Sequence, residues 1–374
     1  MTPPLPDPRW AFSLGRGAPG ILLAHAARAR EHGKPWEAAH TWAKAMVAAP
    51  VPATGHSGLF DGAPAVAYAL HTAAHPAYAP ALEVVDHATL LLVEQRLGAA
   101  HARIDRGEPP ELREFDLIGG LTGLGAYLLA AHPTGALLQD VLAYLVRLTR
   151  PLSAPHGDAP GWWTPHSPAN LPDPAFPGGH TNLGLAHGAA GPLALLATAA
   201  LARIEVPGGR EAMRRILVFY DAHRNTAPAV WWPEWVAGNR PQQHPGRPSW
   251  CYGAPGIAWS HHLAARALGD RARQFDAEHA LLGAAAQSDR LAQPGLCHGQ
   301  AGLRLVLTRA AEHALHPHLR SLPPPPPSPS AASGPGLLDG QAGLDLTRAA
   351  DTTWANCLLL GRTPVHSQPN TADS

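Results

Sequence analysis

Apolar positions along the 374-residue chain recur in two modes. In the first they return at intervals of three and four: Leu138, Val141, Leu142 and Leu145 make one set, and Met213, Ile216, Leu217 and Tyr220 another. That spacing puts apolar side chains on one stripe and predicts amphipathic outer helices. In the second mode a run is rich in Ala and Leu nearly throughout, as in Ile21-Leu22-Leu23-Ala24-His25-Ala26 and in the stretch from Leu303 to Ala310. Helices apolar on most sides belong in an interior, so these predict inner helices.

Each inner run follows a short Gly-rich turn, and seven copies are legible. They are Gly17-Ala18-Pro19-Gly20, Gly62-Ala63-Pro64-Ala65, Gly120-Leu121-Thr122-Gly123, Gly188-Ala189-Ala190-Gly191, Gly253-Ala254-Pro255-Gly256, Gly299-Gln300-Ala301-Gly302 and Gly340-Gln341-Ala342-Gly343. Alternating inner and outer helices either stack into an open solenoid or close into a ring. The first glycines are 45, 58, 68, 65, 46 and 41 residues apart. A solenoid tends to keep its repeat length, whereas a ring accommodates insertions on one rim, so the unequal spacing predicts closure. A residue without Cβ at each inner-helix start is expected to let neighbouring helices approach and to permit unusual dihedrals.

Composition adjusts this picture little. With 45% hydrophobic residues and 11 Trp the chain can pack an interior despite 41 Pro and 37 Gly. Pro-rich stretches at about 151–177 and 323–335 cannot be helical and are expected as rim loops. The expected layout is one domain over residues 1–362 followed by a disordered polar tail, 363–374. Formal charge is zero, from 28 basic and 28 acidic residues, and no basic, aromatic groove stands out, which argues against a nucleic-acid partner. No signal-like start or bilayer-length apolar run occurs, so the expected location is cytoplasmic, with at most a peripheral place on a membrane complex. Three cysteines are too few for a disulfide framework and fit a reducing compartment.

Those cysteines point to chemistry. Three turns carry reactive residues just before their Gly: His187, Cys251-Tyr252 and Cys297-His298. Cys251 and Cys297 are 46 residues apart, too far for a local zinc finger, yet adjacent turns of a ring converge on one axis. Two thiolates and one imidazole would leave a fourth tetrahedral position open to water or substrate, as at a catalytic zinc. A zinc ion so held can take a soft substrate thiol and lower its pKa. The plain alternative is that each Cys is a small buried hydrophobe. For Cys357, which no turn surrounds, that alternative is the expectation.

Trp250-Cys251-Tyr252-Gly253-Ala254-Pro255-Gly256, Cys297-His298-Gly299, Leu185-Ala186-His187-Gly188-Ala189-Ala190-Gly191 and the Asp of Asp116-Leu117-Ile118-Gly119-Gly120 together resemble the lanthipeptide cyclase (LanC) family. The resemblance runs from Gly17 to about Leu344. It implies an all-α fold, an α/α toroid of seven inner and seven outer helices, with one zinc on Cys251, Cys297 and His298. It also implies Michael-type addition of a peptide Cys thiol to dehydroalanine or dehydrobutyrine in a dehydrated precursor peptide. His187 is then the candidate proton donor and Asp116 its orienting partner, although an Asp before a turn can simply cap a helix. Arg247 and Tyr252 match positions that the family places around the cavity, where they could steady an enolate oxygen.

The second repeat departs from the pattern with Ala65, the 323–335 loop is enlarged, and no β-rich insertion interrupts the early chain. The length suggests a standalone cyclase served by a separate dehydratase. Competing readings are a LanC-like protein that adds glutathione to dehydrated residues, a zinc prenyltransferase, and a non-catalytic peptide-binding helical-repeat protein.

Overall fold

A computed structural model describes residues 8–33, 35–152, 159–227, 229–238, 242–323 and 330–362. Among these the helices in chain order are α1 (Ala18–His32), α2 (Glu37–Met46), α3 (Ala63–Ala73), α4 (Ala79–Asp105), α5 (Leu112–Phe115), α6 (Leu121–Ala131) and α7 (Ala136–Leu148). They continue with α8 (Ala190–Leu201), α9 (Gly209–Ala222), α10 (Ala254–Leu268), α11 (Arg271–Ala285), α12 (Gln300–Ala311), α13 (Pro317–Arg320) and α14 (Gln341–Leu346). Two-residue strands β1 (Thr181–Asn182) and β2 (Trp235–Val236) pair antiparallel, Asn182 opposite Trp235. No helix among the described residues is long and apolar enough to cross a membrane.

Every Gly-rich turn opens an inner helix: α1, α3, α6, α8, α10, α12 and α14. Their apolar composition has the expected result, with every residue of α10 from Ala254 to Ala265 buried and every residue of α6 from Leu121 to Leu129. The outer helices bury one stripe: Leu138, Val141, Leu142 and Leu145 on α7, Met213, Ile216, Leu217 and Tyr220 on α9.

The turns share a register that fixes the ring. Six residues before the second glycine of each turn, or before Ala65 in the second copy, stands a fully buried apolar residue. These are Leu14, Leu59, Leu117, Leu185, Trp250, Leu296 and Leu337. A Cβ on the second glycine would fall 1.9 to 2.9 Å from the carbonyl oxygen of that residue in all six turns that carry Gly. The glycine is therefore demanded first by the turn's own backbone folding back beneath it, and also by the close approach of the preceding turn, whose side chain would lie 2.8–3.2 Å from that Cβ at Gly20, Gly123, Gly256, Gly302 and Gly343. Left-handed backbone is needed at the first glycine of only two turns, Gly62 (φ 74°) and Gly253 (φ 103°).

Backbone hydrogen bonds then join each turn to the next. Leu14 N donates to Phe60 O (3.1 Å), Phe60 N to Ile118 O (3.3 Å), Leu117 N to Ala186 O (3.0 Å) and Ala186 N to Cys251 O (3.3 Å). Cys251 N donates to Cys297 O (3.3 Å), Cys297 N to Leu338 O (3.0 Å), and Leu338 N to Gly15 O (2.9 Å), which returns the series to its start. The architecture is a closed α/α toroid, as expected.

The outer layer is less regular than the inner one. The sixth outer element, α13, spans four residues, and the stretch after α14 is a 3₁₀ turn, Thr353–Leu358. That last segment fills the ring from the side opposite the turns. Tyr68 Oη of α3 donates to Trp354 O (2.9 Å), Trp259 Nε1 of α10 to Leu359 O (2.8 Å) and Arg309 Nε of α12 to Leu360 O (2.9 Å). Cys357 lies here, fully buried, its Sγ 3.2 Å from Trp354 O and its thiol pushed up to about 12 by burial, the inert role expected of it. The Pro-rich stretches contain no helix in their described parts; residues 153–158 and 324–329, and the tail 363–374, lie outside the described residues.

The fold makes opposite demands at two glycines, one inside an outer helix and one in a turn. Gly98, inside α4, has open space where a Cβ would stand, so Gly98→Ala should stabilise the protein by roughly 0.5–1 kcal/mol. At Gly302 a Cβ would lie 1.9 Å from Leu296 O, and Gly302→Ala should cost on the order of 3 kcal/mol or more. Urea midpoints of the two variants check the contrast.

Candidate metal centre

The common register explains how residues distant in sequence meet. The residue after the buried apolar position takes part in the inter-turn hydrogen bonds and is Cys251 in the fifth turn and Cys297 in the sixth. The next position, just before the first glycine, holds His187, Tyr252 and His298 in turns four to six. Cys251 and Cys297 are thus equivalent residues of adjacent turns, joined by the Cys251 N to Cys297 O bond.

Their Sγ atoms and one ring nitrogen of His298 lie within 4.8 Å of one another, and Cys251 Sγ is 3.0 Å from His298 Nδ1. Both cysteines are buried and His298 is half-buried. A tetrahedral zinc with two sulfurs and one nitrogen separates its donors by about 3.5–3.8 Å, so these three can hold one with small side-chain adjustments. The soft sulfur donors fit zinc better than a hard cation. Hydrogen bonding from Cys297 holds the Cys251 thiol well below the usual thiol range; burial opposes this and His298 reinforces it. Cys297, as the donor of that bond and in a buried place, is pushed up. His298 is raised chiefly by its bond to Cys251.

A second group lies near enough to this cluster for the charge of Cys251 to act on it. Asp116 precedes the buried apolar residue of the third turn, a place that other turns give to Ser or Gly. The small residue has a reason: a Cβ on Gly58, Gly295 or Gly336 would lie 2.5–2.7 Å from a backbone Cα of the following turn. Between the third and fourth turns that backbone contact is replaced by a side-chain bond, Asp116 Oδ2 to His187 Nδ1 at 2.7 Å. Asp116 Oδ1 accepts from Gly119 N at 2.7 Å. The N-cap of α6 is Gly120, so Asp116 shapes the turn without capping the helix. Burial lowers the His187 pKa, but the bond to Asp116 and the charges of Asp116 and Cys251 outweigh it, and the net shift is upward. The His187 side chain keeps 37% of its surface accessible, against 5% for Asp116.

Tyr252 stands between the two groups. Its ring centroid is 6.1 Å from that of His187, its hydroxyl accepts from Asn182 Nδ2 at 2.9 Å, and burial pushes it up to about 12. Arg247 is exposed and its side chain makes no hydrogen bond or ion pair among the described residues, although its charge acts on Cys297, His298 and Glu234. The structure therefore brings together Cys251, Cys297 and His298, pairs Asp116 with His187, sets Tyr252 between them and leaves Arg247 at the edge.

Sequence reasoning did not find Asn182, which holds Tyr252, or Ser249, whose Oγ is 3.7 Å from Cys251 Sγ. It also passed over Asp339, the seventh-turn equivalent of His187 and His298, whose charge raises both Cys297 and His298. Aligning the turns on their buried apolar residue supplies the signal for Ser249 and Asp339. Asn182 lies before its turn, in a strand of two residues, and no local pattern marks it.

Two facts now define the class: a closed α/α toroid, and a Cys-Cys-His cluster opposite a carboxylate-held histidine. The chain belongs to the lanthionine synthetase C-like protein family, which it matches over residues 8–322. It is similar to the solved structure of a nisin cyclase, with a TM-score of 0.79 and 21% identity over 95% of this chain and 93% of that one. No curated protein matched it in sequence.

Because Asp116 raises His187, Asp116→Asn should bring the His187 pKa down. The imidazolium would then be lost at lower pH than in the unmodified protein. Following the His187 ring resonances by NMR between pH 5 and pH 9, a window of roughly two units on either side of neutral, measures this directly. An unchanged titration would contradict the pairing.

Proposed function

We propose that this chain is a zinc-dependent cyclase that closes thioether rings in a dehydrated precursor peptide. The observation that carries the reading is the pair of cysteines and one histidine converging on a single point beside the Asp116–His187 pair. Membership of the lanthionine synthetase C-like family and the likeness to a nisin cyclase support a dehydrated peptide as substrate.

Cys251, Cys297 and His298 would hold the zinc, which supplies when bound a Lewis-acid position where a peptide thiol gives up its proton near neutral pH. The cavity residues then act on the adduct. Once the sulfur has bonded to the β-carbon of dehydroalanine or dehydrobutyrine, the double-bond electrons rest on the neighbouring carbonyl oxygen. His187 delivers a proton to the α-carbon of that enolate, which replaces the one the thiol gave up, so the peptide's mass is unchanged. Asp116 keeps the Nδ1 of His187 engaged, so that Nε2 is the nitrogen free to exchange the proton. Tyr252 and Arg247 are the groups available to steady charge on the enolate oxygen.

Metal analysis of the purified chain should give close to one zinc, and Cys297→Ala should bind little. With a dehydrated Cys-containing peptide, the chain should consume free thiols at unchanged mass; His187→Asn should lower this rate by about 10²–10⁴-fold. A mass increase seen only with glutathione would instead assign the external-thiol reaction. Absence of zinc from the unmodified protein would sink the proposal.

A further inference from the structure

We propose that Arg96, on the outer helix α4 and outside every turn, is a positioning residue for the Asp116–His187 pair. The inference rests on the cyclase reading for its kinetic consequence, but its structural content stands on separate observations.

Arg96 is a half-buried cation that forms no ion pair among the described residues. Burial lowers its pKa, yet a guanidinium stays charged in any protein. Its hydrogen bonds go to main-chain oxygens instead, and the charge of Asp116 acts favourably on it without a direct bond. Nη1 donates to Ser57 O (2.9 Å) and to Gly119 O (2.5 Å), and Nη2 donates to Arg113 O. Those three carbonyls belong to the second turn, the third turn and α5. One planar fork therefore ties together the three backbone segments that surround Asp116.

The connection to His187 is short. Gly119, whose carbonyl Arg96 holds, donates its own N–H to Asp116 Oδ1 at 2.7 Å, and Asp116 Oδ2 meets His187 Nδ1 at 2.7 Å. A carboxylate whose one oxygen is fixed by the backbone has a fixed direction for the other. If the Gly119 peptide is released, Asp116 loses the bond that aims it. Hydrogen bonds to a charged donor are the strong kind, so removing the guanidinium takes away the firmest hold on Gly119 O.

A neighbour on the same helix shows what a purely structural arginine does there. Arg103, two helical turns along α4, donates Nε and Nη2 to Glu114 at 3.0 and 2.5 Å, and Glu114 also accepts from Tyr144 Oη at 2.7 Å. That pair anchors α5 to α4 without a bond to the Asp116 turn. Two arginines thus pin the same short helix, and only Arg96 continues to the site.

The test compares zinc-loaded full-length Arg96→Gln, Arg96→Ala and Arg103→Gln with the unmodified protein. Two readouts are used: ¹⁵N NMR of the His187 ring, and cyclisation of a dehydrated peptide. Zinc content should be unchanged in all. Both Arg96 variants should lose the dominance of the Nδ1–H tautomer in neutral His187, whereas Arg103→Gln should keep it while melting earlier. Their kcat should fall about tenfold or more with KM within about twofold, and guanidinium ion at tens of millimolar should restore part of it in Arg96→Ala. A folded Arg96→Gln protein with the unmodified His187 tautomer would overturn the assignment, as would an equal loss in Arg103→Gln. If the unmodified protein does not cyclise, the functional reading fails, while the NMR comparison still decides the role of Arg96.

Discussion

Everything in this molecule hangs on seven backbone links that run from turn to turn and return to their origin. A peptide N–H buried at the centre of a helical ring must find a partner or forfeit a hydrogen bond's worth of stability. Here each finds the carbonyl of the adjacent turn, the last joining Leu338 to Gly15. The inner helices are set at their angles by these links, and the apolar residue under each turn, from Leu14 to Leu337, fills the space they enclose. The Ala-rich inner faces follow from the same constraint, because helices held this close to an axis have room only for small side chains.

The chemistry is a modification of that scheme in four adjacent turns, the third to the sixth. Positions that elsewhere hold Gly15, Phe60, Ile118, Ala186 or Leu338 hold Cys251 and Cys297, and the ladder itself brings their sulfurs together. Between the third and fourth turns a carboxylate takes over a job that glycine does elsewhere. Asp116 is therefore at once a joint of the ring and the partner of His187, which is why one residue could be read from sequence as either a cap or an orienting group. Of two arginines on the 27-residue helix α4, Arg96 holds this joint from outside through carbonyls, while Arg103 anchors α5 through the Glu114 carboxylate.

Much of this was legible in the sequence for a definite reason. Gly-rich turns and Ala-Leu runs obey local rules, so the seven inner helices and the outer stripes on α7 and α9 could be read directly, whereas the grouping of Cys251, Cys297 and His298 needed their equivalent places in adjacent turns and the family resemblance. What escaped was set by partners far along the chain. The 3₁₀ segment Thr353–Leu358 and the residues just after it have no helical period because their carbonyls are claimed by Tyr68, Trp259 and Arg309 on three inner helices. The glycine requirement was visible but its cause was not, since the carbonyl six residues upstream lies beneath the helix only once the turn has folded. Arg96 carried no motif at all; its importance lies in three carbonyls, and a carbonyl has no letter in a sequence.

The link from Leu338 to Gly15 also bears on how the chain reaches its native state. It joins residues 323 positions apart, from 15 to 338, whereas every other link spans one repeat. Closing so long a loop in a disordered chain would cost about 5 kcal/mol of entropy, but almost nothing once the intervening repeats have stacked into an arc. On that cost alone, the cheapest order of assembly leaves this link until last, through a horseshoe whose first and seventh turns still lack their partners for Leu338 N and Gly15 O. Such edges invite a second molecule. The circle that gives each of the seven turns a partner in the native protein leaves the first and the last of them without one until the final step of such an assembly.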